Sequence, residues 1–251
     1  MGMTMISVIV PTLNEEGSLK FLLESLRRQT LSNFEVFVVD GGSGDKTIDI
    51  ADQYNAKTVV LNGGAEFYSR NFGASLAKGE ILLFTCADII MPKNLMEKVY
   101  EKFEKNHRIV ALSGPDIPHD THLIGKVEYG LYNALRYIAS KMPRPFKRFS
   151  TSTNFLVVRK KVFEKAGGFN PLDINADGLL GRNLSEIGEV EFCLNIYVFI
   201  SARRINEMGF LNFNRHYFYV LENFFPSLSR TKIMESVKQK SGKIHRKLHE
   251  E

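Results

Sequence analysis

The stretch Ile81-Leu82-Leu83-Phe84-Thr85-Cys86-Ala87-Asp88-Ile89-Ile90-Met91-Pro92 is an apolar run that leads to one small residue and one carboxylate before a proline. The run is rich in aliphatic residues and too short for a helix, so it predicts a buried strand that delivers Asp88 to its carboxyl end. In open α/β sheets, ligands bind outside the carboxyl ends of the strands. We therefore expect Asp88 at the edge of a cleft, although the same acid taken alone is equally typical of a turn before Pro92.

The chain before this stretch repeats one order of strand and helix. Residues 6–11, 34–39 and 58–61 are apolar runs typical of strands. After the first run, Asn14-Glu15-Glu16 predicts the cap and acidic first turn of a helix, and a further helix is predicted over residues 67–77. Alternating strands and helices with short connections predict an α/β fold with a mainly parallel sheet.

The second half of the chain departs from this regularity. The predicted elements are a helix over 94–103, a strand over 109–113, a helix over 125–140, a strand over 154–158, a helix over 161–166 and a strand-like run over 189–200. Residues 141–148 predict a basic loop broken by prolines, because Pro ends helices. Residues 172–188 combine polar and glycine residues without a period, which predicts a site loop with a short helix.

Composition limits the class of protein. The chain has 251 residues, 44% of them hydrophobic and 24% charged, which is ordinary for a globular protein with a real core. The formal net charge of +5 is mild, and the two cysteines, Cys86 and Cys193, form no framework of spaced pairs. We therefore expect a reducing compartment, the cytoplasm, for a chain that lacks a predicted signal peptide or an apolar run of the roughly 20 residues that span a membrane.

A glycine-rich turn, Asp40-Gly41-Gly42-Ser43-Gly44-Asp45-Lys46-Thr47, joins a predicted strand to a predicted helix. It is not a P-loop, because Asp45 replaces the glycine before the lysine, and it lacks the third glycine of a dinucleotide fingerprint. It is not a nucleophile elbow either, because Ser43 lies directly between two glycines. Backbone amides near the start of the helix could bind an anion or the polar edge of a nucleotide, whereas the turn alone also fits a simple helix cap.

Five motifs taken together are more specific than any one of them. They are Val8-Ile9-Val10-Pro11-Thr12-Leu13-Asn14-Glu15, Val38-Val39-Asp40-Gly41-Gly42-Ser43 with Asp45 and Thr47, Ser69-Arg70-Asn71-Phe72-Gly73, the strand ending in Ala87-Asp88, and Gly167-Gly168-Phe169 followed by an acidic loop. This ordered set, from residue 6 to about residue 209, resembles family 2 glycosyltransferases of the GT-A fold. The resemblance implies a mainly parallel sheet with helices on both faces and an acceptor half with a mixed sheet. It also implies transfer of a sugar from a nucleoside diphosphate.

The resemblance implies a domain plan as well. A single GT-A domain would occupy residues 1–225, with the nucleotide-binding half at about 1–115 and the acceptor half at about 116–225. Residues 226–251 would form a basic, helical C-terminal tail.

The resemblance also assigns roles in donor binding. Pro11, Thr12 and Glu15 would line the nucleotide pocket, and Asp40 would contact the base or the ribose. Ala87, at the strand exit, belongs to the same nucleotide-sugar-binding set.

Charged residues would handle the diphosphate. Asp88 would ligate a divalent metal, Mg²⁺ or Mn²⁺, and Arg70 would help to bind the diphosphate. The leaving diphosphate accumulates negative charge, which a hard cation with oxygen ligands or an arginine can neutralise. Arg203 and Arg204, in Ser201-Ala202-Arg203-Arg204, resemble a segment in which arginines return to the donor phosphates. Either arginine could instead be a surface charge.

The metal motif departs from the family pattern at Cys86. The family usually has two acids spaced by one residue at this strand exit, and here the first place holds a cysteine. A neutral thiol is a poor ligand for a hard cation, so we expect an altered site that relies on Asp88. Cys86 itself is also typical of a small buried apolar residue at the end of a strand.

The catalytic base is expected in the second half. The family pattern has a Glu-Asp pair after its Gly-Gly-Phe, and the best match here is Ala176-Asp177, without the glutamate. Asp177 is the predicted general base that takes the proton of the acceptor hydroxyl, with Asp173 and Glu186 as reserves. A single displacement of this kind predicts inversion at the sugar, while the residues alone leave a retaining mechanism open.

The partners predicted from sequence are a UDP- or GDP-sugar donor and a saccharide or lipid-linked acceptor. Basic residues of segment 144–148 and of the tail, together with aromatic residues near 217–225, predict peripheral contact with an anionic membrane, although a charged helix over a core explains them equally well. Nucleic acid is not expected, because no stacking platform is recognisable. Two alternatives stay open: a degenerate sugar-nucleotide-binding or membrane-associated protein without turnover, and, ranked last, a nucleotidyltransferase.

Overall fold

A computed structural model describes residues 4–63, 65–147, 149–171 and 176–203. The strands are β1 (Ile6–Thr12), β2 (Phe34–Asp40), β3 (Lys57–Val60), β4 (Ile81–Thr85), β5 (Ile89–Ile90), β6 (Ile109–Ser113), β7 (Asp116–Pro118), β8 (Phe155–Arg159), β9 (Glu189–Phe192) and β10 (Val198–Ile200). The helices are α1 (Leu19–Arg27), α2 (Thr47–Gln53), α3 (Glu66–Leu76), α4 (Leu95–Lys105), α5 (Leu123–Lys141), α6 (Arg144–Lys147), α7 (Lys160–Lys165) and α8 (Ala176–Ile187).

A seven-stranded sheet in the order β3-β2-β1-β4-β8-β6-β9 forms the centre of the molecule. All of its strands run in one direction except β8, which pairs antiparallel with both β4 and β6. In the register of β1 with β2, Thr12 lies opposite Asp40. The carboxyl ends of β1, β2 and β4 therefore meet at one edge of the sheet, where the sequence predicts the donor site.

The strands alternate apolar residues between two cores, because successive side chains of a strand point to opposite faces. Val8 and Val10 pack in the core on the α1 and α4 side, which includes the buried leucines of α1. Ile9 and Phe84 pack in the core on the α3, α7 and α8 side. Burying one such side chain stabilises the fold by about 2 kcal/mol. Helices thus cover both faces of the sheet, as predicted.

A smaller sheet in the order β5-β10-β7 lies beyond the end of β4. Its central strand β10 pairs antiparallel with β5 and parallel with β7, so this sheet is mixed. Ile200 lies opposite Ile89, one residue after Asp88, and the Ser201 amide donates to the Asp88 carbonyl at 3.1 Å. This pairing returns the chain to the exit of β4 and places Arg203 there.

Two sequence predictions about element boundaries are wrong. Helix α1 begins at Leu19 and has no acidic residue in its first turn, so Asn14-Glu15-Glu16 does not cap it. The run over 189–200 is not one strand, because residues 193–197 leave the large sheet and the chain re-enters structure as β10 in the small sheet. The apolar pattern was continuous through this change of sheet.

Two segments contain more helix than predicted. Within the basic segment 141–148, α6 forms a short helical turn. In the segment 172–188, α8 occupies twelve residues, so the predicted site loop is mostly helix. The three-residue strand β7, which ends in proline, was not predicted. The predicted tail lies outside the described residues, and every helix within them is too short or too polar to span a bilayer.

Candidate active site

Asp40 closes the end of β2 and organises the glycine-rich turn. Its side chain is fully buried. One carboxylate oxygen accepts from the amides of Gly42 and Ser43, at 2.9 and 2.7 Å. The other accepts from the hydroxyls of Thr12 and Ser43, at 2.9 and 2.6 Å. Four such bonds satisfy a carboxylate, so Asp40 holds the turn against the end of β1.

The β1–α1 connection locks onto the same turn. The Asn14 amide donates to the Ser43 hydroxyl at 2.8 Å, and the Asn14 side-chain oxygen accepts from the Gly44 amide at 2.9 Å. The Glu15 amide donates to the Thr47 hydroxyl at 2.8 Å. Asn14 adopts φ 53°, a left-handed conformation that asparagine tolerates. These bonds explain why Asn14 and Glu15 do not start α1, and they fix the backbone of Glu15 beside the turn.

A cleft of about 570 Å³ opens next to the glycine-rich turn. The connection from β3 to α3 lines it, together with Tyr68 and Pro171. This connection is tied to the turn by two bonds, from the Leu61 amide to the Asp40 carbonyl at 2.7 Å and from the Gly63 amide to the Gly41 carbonyl at 3.2 Å. The volume falls in the range of about 300–1,000 Å³ typical of ligand pockets.

Glu15, Asp88 and Arg203 form a charged group at the exit of β4. Arg203 Nη2 lies 3.1 Å from Glu15 Oε1 and 3.4 Å from Oε2. Burial raises the pKa of Glu15 and the charge of Asp88 adds to the rise, while Arg203 opposes it. Three residues predicted from separate motifs are therefore brought together, and Ala87 is buried beside Asp88.

Arg70 is fully buried behind this exit. Its guanidinium donates to Glu66 Oε1 at 2.8 Å, to the Thr85 carbonyl at 2.9 Å and to Cys86 Sγ at 3.3 Å. Burial opposes its charge, but Glu66 and Cys86 outweigh it, so the pKa of Arg70 lies above its ordinary value. In this structure Arg70 ties α3 to the end of β4.

Cys86 belongs to the same contact network. In addition to the bond from Arg70, its Sγ lies 3.6 Å from the side-chain oxygen of Asn154, the residue directly before the neighbouring strand β8. The thiol thus contacts an arginine and an amide, and it also packs against the apolar core on the α1 and α4 side.

Asp177 lies in the first turn of α8. It is partly exposed, and one of its carboxylate oxygens accepts from the Gly178 amide at 2.8 Å. Burial raises the pKa of Asp177 and Glu66 adds to the rise, while the Gly178 amide, Arg136 and Arg70 lower it. The predicted base therefore lies within electrostatic range of the residues behind the β4 exit.

Of the two reserve bases, only Glu186 belongs to the described residues. Glu186 lies near the end of α8, where its side chain is 58% exposed and 3.7 Å from Arg182. Asp173 and Arg204 lie outside the described residues.

The motif Gly167-Gly168-Phe169 contacts the arginine motif directly. Asn71 accepts from the Phe169 amide at 2.9 Å and donates to its carbonyl at 2.7 Å. Gly168 has φ 68°, and a Cβ there would lie 2.8 Å from the Asn71 side-chain oxygen, so only glycine fits. This contact holds the chain that follows α7 against α3.

Sequence reasoning missed a buried polar network in the second half. Arg136 Nη1 lies 3.1 Å from Asp116 Oδ2, which also accepts from the Asn154 side chain at 3.0 Å. Both charged residues are buried, and burial raises the pKa of Asp116 against the effect of Arg136 and Asn154. Because Asn154 also contacts Cys86, the network extends from β4 to α5. Its sequence signal was weak, since a single charge on a predicted helix or a three-residue strand is ordinarily solvated.

Glu66 was missed for the same reason. It precedes the arginine motif at the start of α3, where an acid is favourable simply because of the helix dipole. Its spacing of four residues from Arg70 was the available signal.

A divalent cation would have Asp88 as its protein ligand at this exit. Within the described ranges there is no group of three or more His, Cys, Asp or Glu side chains arranged to hold a metal. Mg²⁺ and similar ions often use only one or two carboxylates together with substrate phosphates and water. The half-buried Asp88 and the neighbouring Glu15 fit that kind of site.

The sheet order, with a glycine-rich turn and an acid at adjoining strand ends, defines the GT-A class of α/β fold. The model of the family described as glycosyl transferase family 2 matches residues 7–167. The chain belongs to this family, as its motifs predicted.

Curated relatives match a little less than half of this chain. An uncharacterized glycosyltransferase of Haemophilus influenzae is 40% identical over 115 residues, which are 44% of this chain and 38% of the relative. A PGL/p-HBAD biosynthesis glycosyltransferase of Mycobacterium tuberculosis is 34% identical over 126 residues, 48% of this chain and 46% of the relative. The matches thus cover less than half of these relatives.

Solved structures show the same fold. A mannosyltransferase from Pyrobaculum calidifontis in complex with GDP-Man and Mn²⁺ superimposes with a TM-score of 0.69, at 19% identity, over 92% of this chain and 66% of that one. TarS of S. aureus in complex with UDP-GlcNAc has a TM-score of 0.62, at 21% identity, over 79% of this chain and 59% of that one. These likenesses confirm the predicted GT-A fold.

Proposed function

We propose that this protein transfers a sugar from a nucleoside diphosphate to an acceptor hydroxyl, with inversion and with a divalent metal. The observation that carries the proposal is the convergence of the Asp40 turn, Glu15, Asp88 and Arg203 at one edge of the sheet. The family membership and the donors named for the structural neighbours, GDP-Man and UDP-GlcNAc, support it.

The nucleoside would bind between the glycine-rich turn and the cleft beside it. The end of β1 contributes Pro11 and Thr12, and the connection that follows contributes Glu15. Ala87 lies just after the end of β4. Because the Asp40 carboxylate already accepts four hydrogen bonds, we assign to it mainly the positioning of this pocket. Direct contact with the base or ribose stays a prediction.

The diphosphate would lie toward Asp88 and Arg203. Arg203 is partly exposed and can turn from Glu15 to a phosphate, a charge-assisted bond that arginine favours. Arg70 is buried against Glu66 and Cys86, so its proposed effect on the diphosphate acts through the backbone of the β4 exit. Arg204, which lies outside the described residues, is proposed to assist in binding the diphosphate.

Asp88 would hold Mg²⁺ or Mn²⁺ with two phosphate oxygens and water. The cation would neutralise charge on the leaving diphosphate. Mn²⁺ accompanies GDP-Man in the Pyrobaculum calidifontis neighbour, which supports this assignment.

Asp177 would act as the general base. Its carboxylate takes the proton of the acceptor hydroxyl while that oxygen forms a bond to C1 of the sugar. The bond from C1 to the diphosphate oxygen breaks, and the nucleoside diphosphate leaves. Partial burial and Glu66 raise the pKa of Asp177, which brings a carboxylate closer to the pKa that suits proton transfer.

The acceptor is proposed to be a saccharide or a lipid-linked molecule, and the compartment the cytoplasm, with peripheral membrane contact. The second candidate function is sugar-nucleotide binding without turnover. Cys86, at a place where the family usually has an acid, is the observation that favours it.

Calorimetric titration of the full chain with UDP and GDP in Mn²⁺ tests the donor site. We expect one of them to bind, and Asp88→Ala to lose the Mn²⁺-dependent part of the affinity, whereas Asp49→Ala, an exposed acid on α2, leaves it unchanged. Folded protein that binds neither nucleotide would contradict the proposal.

Donor turnover separates the enzyme from the binding protein. Asp177→Asn should keep nucleotide affinity and lose transfer or donor hydrolysis, while Arg182→Gln, at an exposed position of the same helix, keeps both. Equal activity of Asp177→Asn and wild type would exclude Asp177 as the base. Binding without turnover on a broad panel of acceptors would favour the second candidate.

A further inference from the structure

Helix α5 carries its apolar residues on the outside. Seven large apolar side chains between 37% and 76% exposed form what we call the outer stripe: Leu123, Ile124, Val127, Leu131, Leu135, Ile138 and Met142, the last directly after the helix. The inner face buries Glu128, Tyr129, Arg136 and Ser140 instead. This is the reverse of an ordinary surface helix, whose apolar side faces the core.

The inner face has reasons of its own to be polar. Arg136 pairs with the buried Asp116, and the Asn133 side chain both donates to the Asp116 carbonyl and accepts from its amide, at 2.8 and 3.1 Å. These bonds fix the rotation of α5 about its axis. The outer stripe therefore faces outward because of specific contacts and not because the helix is free to turn.

The stripe runs along the whole length of α5. Its main positions follow spacings of three and four residues, which lie on one side of a helix. At 1.5 Å per residue, α5 presents this face over roughly 28 Å. A continuous exposed apolar face of this size marks an interaction site.

The exposed charged side chains of α5 are two lysines. Lys126 and Lys141 are exposed at its borders. No acidic residue occurs in the sequence between Glu128 and Glu164, a segment that also contains Arg144, Lys147 and Arg148. An apolar helix face bordered by lysines is the pattern of helices that lie in the interface of anionic membranes.

We propose that the outer stripe of α5 docks on an anionic lipid bilayer, with its apolar side chains in the headgroup and upper acyl region. The lysine side chains at its borders would reach the phosphate headgroups. Because Arg136 on the inner face lies within electrostatic range of Asp177, docking would bring the acceptor half to the membrane. The docking deepens the peripheral membrane contact of the proposed function, and the consequence that the acceptor is lipid-linked rests on the proposed sugar transfer.

Co-sedimentation of the full chain with vesicles tests the docking without any donor. We expect binding to vesicles of phosphatidylglycerol and phosphatidylcholine, and weaker binding to phosphatidylcholine alone. The double variant Leu131→Gln, Ile138→Gln should lower the partition coefficient at least about tenfold, since it removes two of the exposed apolar side chains. The control Phe21→Gln, Leu194→Gln, with side chains similarly exposed elsewhere, should bind as wild type does.

Three outcomes would overturn the proposal. The first is wild-type protein that does not sediment with anionic vesicles, or an equal loss of vesicle binding in the stripe variant and in the control variant. The second is a dimer in analytical ultracentrifugation that only the stripe variant dissociates, which would assign the stripe to a second copy. The third is a lower melting temperature for the stripe variant alone with no vesicle binding, which would assign the stripe to residues 204–251. Nucleotide titration stays independent of all three, so a failure here leaves the donor-site proposal intact.

Discussion

Replacing Asp40 by asparagine should loosen the glycine-rich turn without changing its size. The asparagine oxygen can still accept from the Gly42 and Ser43 amides, but its NH₂ group cannot accept from the hydroxyls of Thr12 and Ser43. Bonds to a charged acceptor contribute about 1.5–3 kcal/mol, against about 0.5–1.5 kcal/mol for neutral ones. Part of the loss is recovered, because each hydroxyl can rotate and accept from the new NH₂ group.

The expected change in the free energy of unfolding is a decrease of about 2–3 kcal/mol. Urea denaturation followed by far-UV circular dichroism measures it. Asp49→Asn, at an exposed position in the first turn of α2, is the control and should cost below about 1 kcal/mol. Calorimetry with UDP and GDP gives the affinity of the same variants.

The two measurements separate the two roles of Asp40. If Asp40 positions the turn, its replacement should lower the free energy of unfolding and the nucleotide affinity together. If Asp40 only contacts the base or ribose, its replacement should lower the affinity alone. If Asp40→Asn is as stable as Asp49→Asn and binds nucleotide as wild type does, the four hydrogen bonds do not hold the pocket, and the reasoning fails.

Cys86→Asp should raise Mn²⁺ affinity in the presence of nucleotide, or leave it level, because a carboxylate replaces a poor ligand for hard cations; loss of nucleotide binding in folded protein would refute our account of the β4 exit. Arg203→Met should cost less than about 1 kcal/mol of stability, since its pair with Glu15 is partly exposed, but should weaken nucleotide binding at least about tenfold in calorimetry. An unchanged affinity would show that Arg203 does not contact the diphosphate. A base works when deprotonated, so kcat/KM should rise with pH through the raised pKa of Asp177. Removing a neighbouring negative charge by Glu66→Gln should lower that pKa and move this limb to lower pH, and a limb that stays or moves upward would contradict the assignment.

The sequence predicted the parallel half of the sheet well, because its central strands β1 and β4 are buried on both faces and consist mostly of apolar residues. It placed Glu15, Asp88 and Arg203 in one site through the resemblance of short motifs, and the structure brings them together. Local propensity misplaced the start of α1, since the side chain of Asn14 bonds to a loop thirty positions away in sequence.

The remaining differences arise from tertiary contacts that leave no local pattern. The strand β7 has three residues and pairs only with a strand that follows about eighty residues later. The ion pair of Asp116 with Arg136 and the contact of Arg70 with Glu66 are favourable only after burial, so each charge alone resembled a solvated one. The helix α5 was predicted from the sequence. The outward direction of its apolar face was not, because that direction depends on the contacts with Asp116.

The position of β8 between β4 and β6 has a consequence for synthesis on the ribosome. Until residue 159 has emerged, β4 and β6 each expose an unpaired edge, because the strand that joins them comes later in the chain. Exposed edges pair readily with other chains. We therefore expect a nascent chain that stops before β8 to expose the edges of β4 and β6 to pairing with other chains.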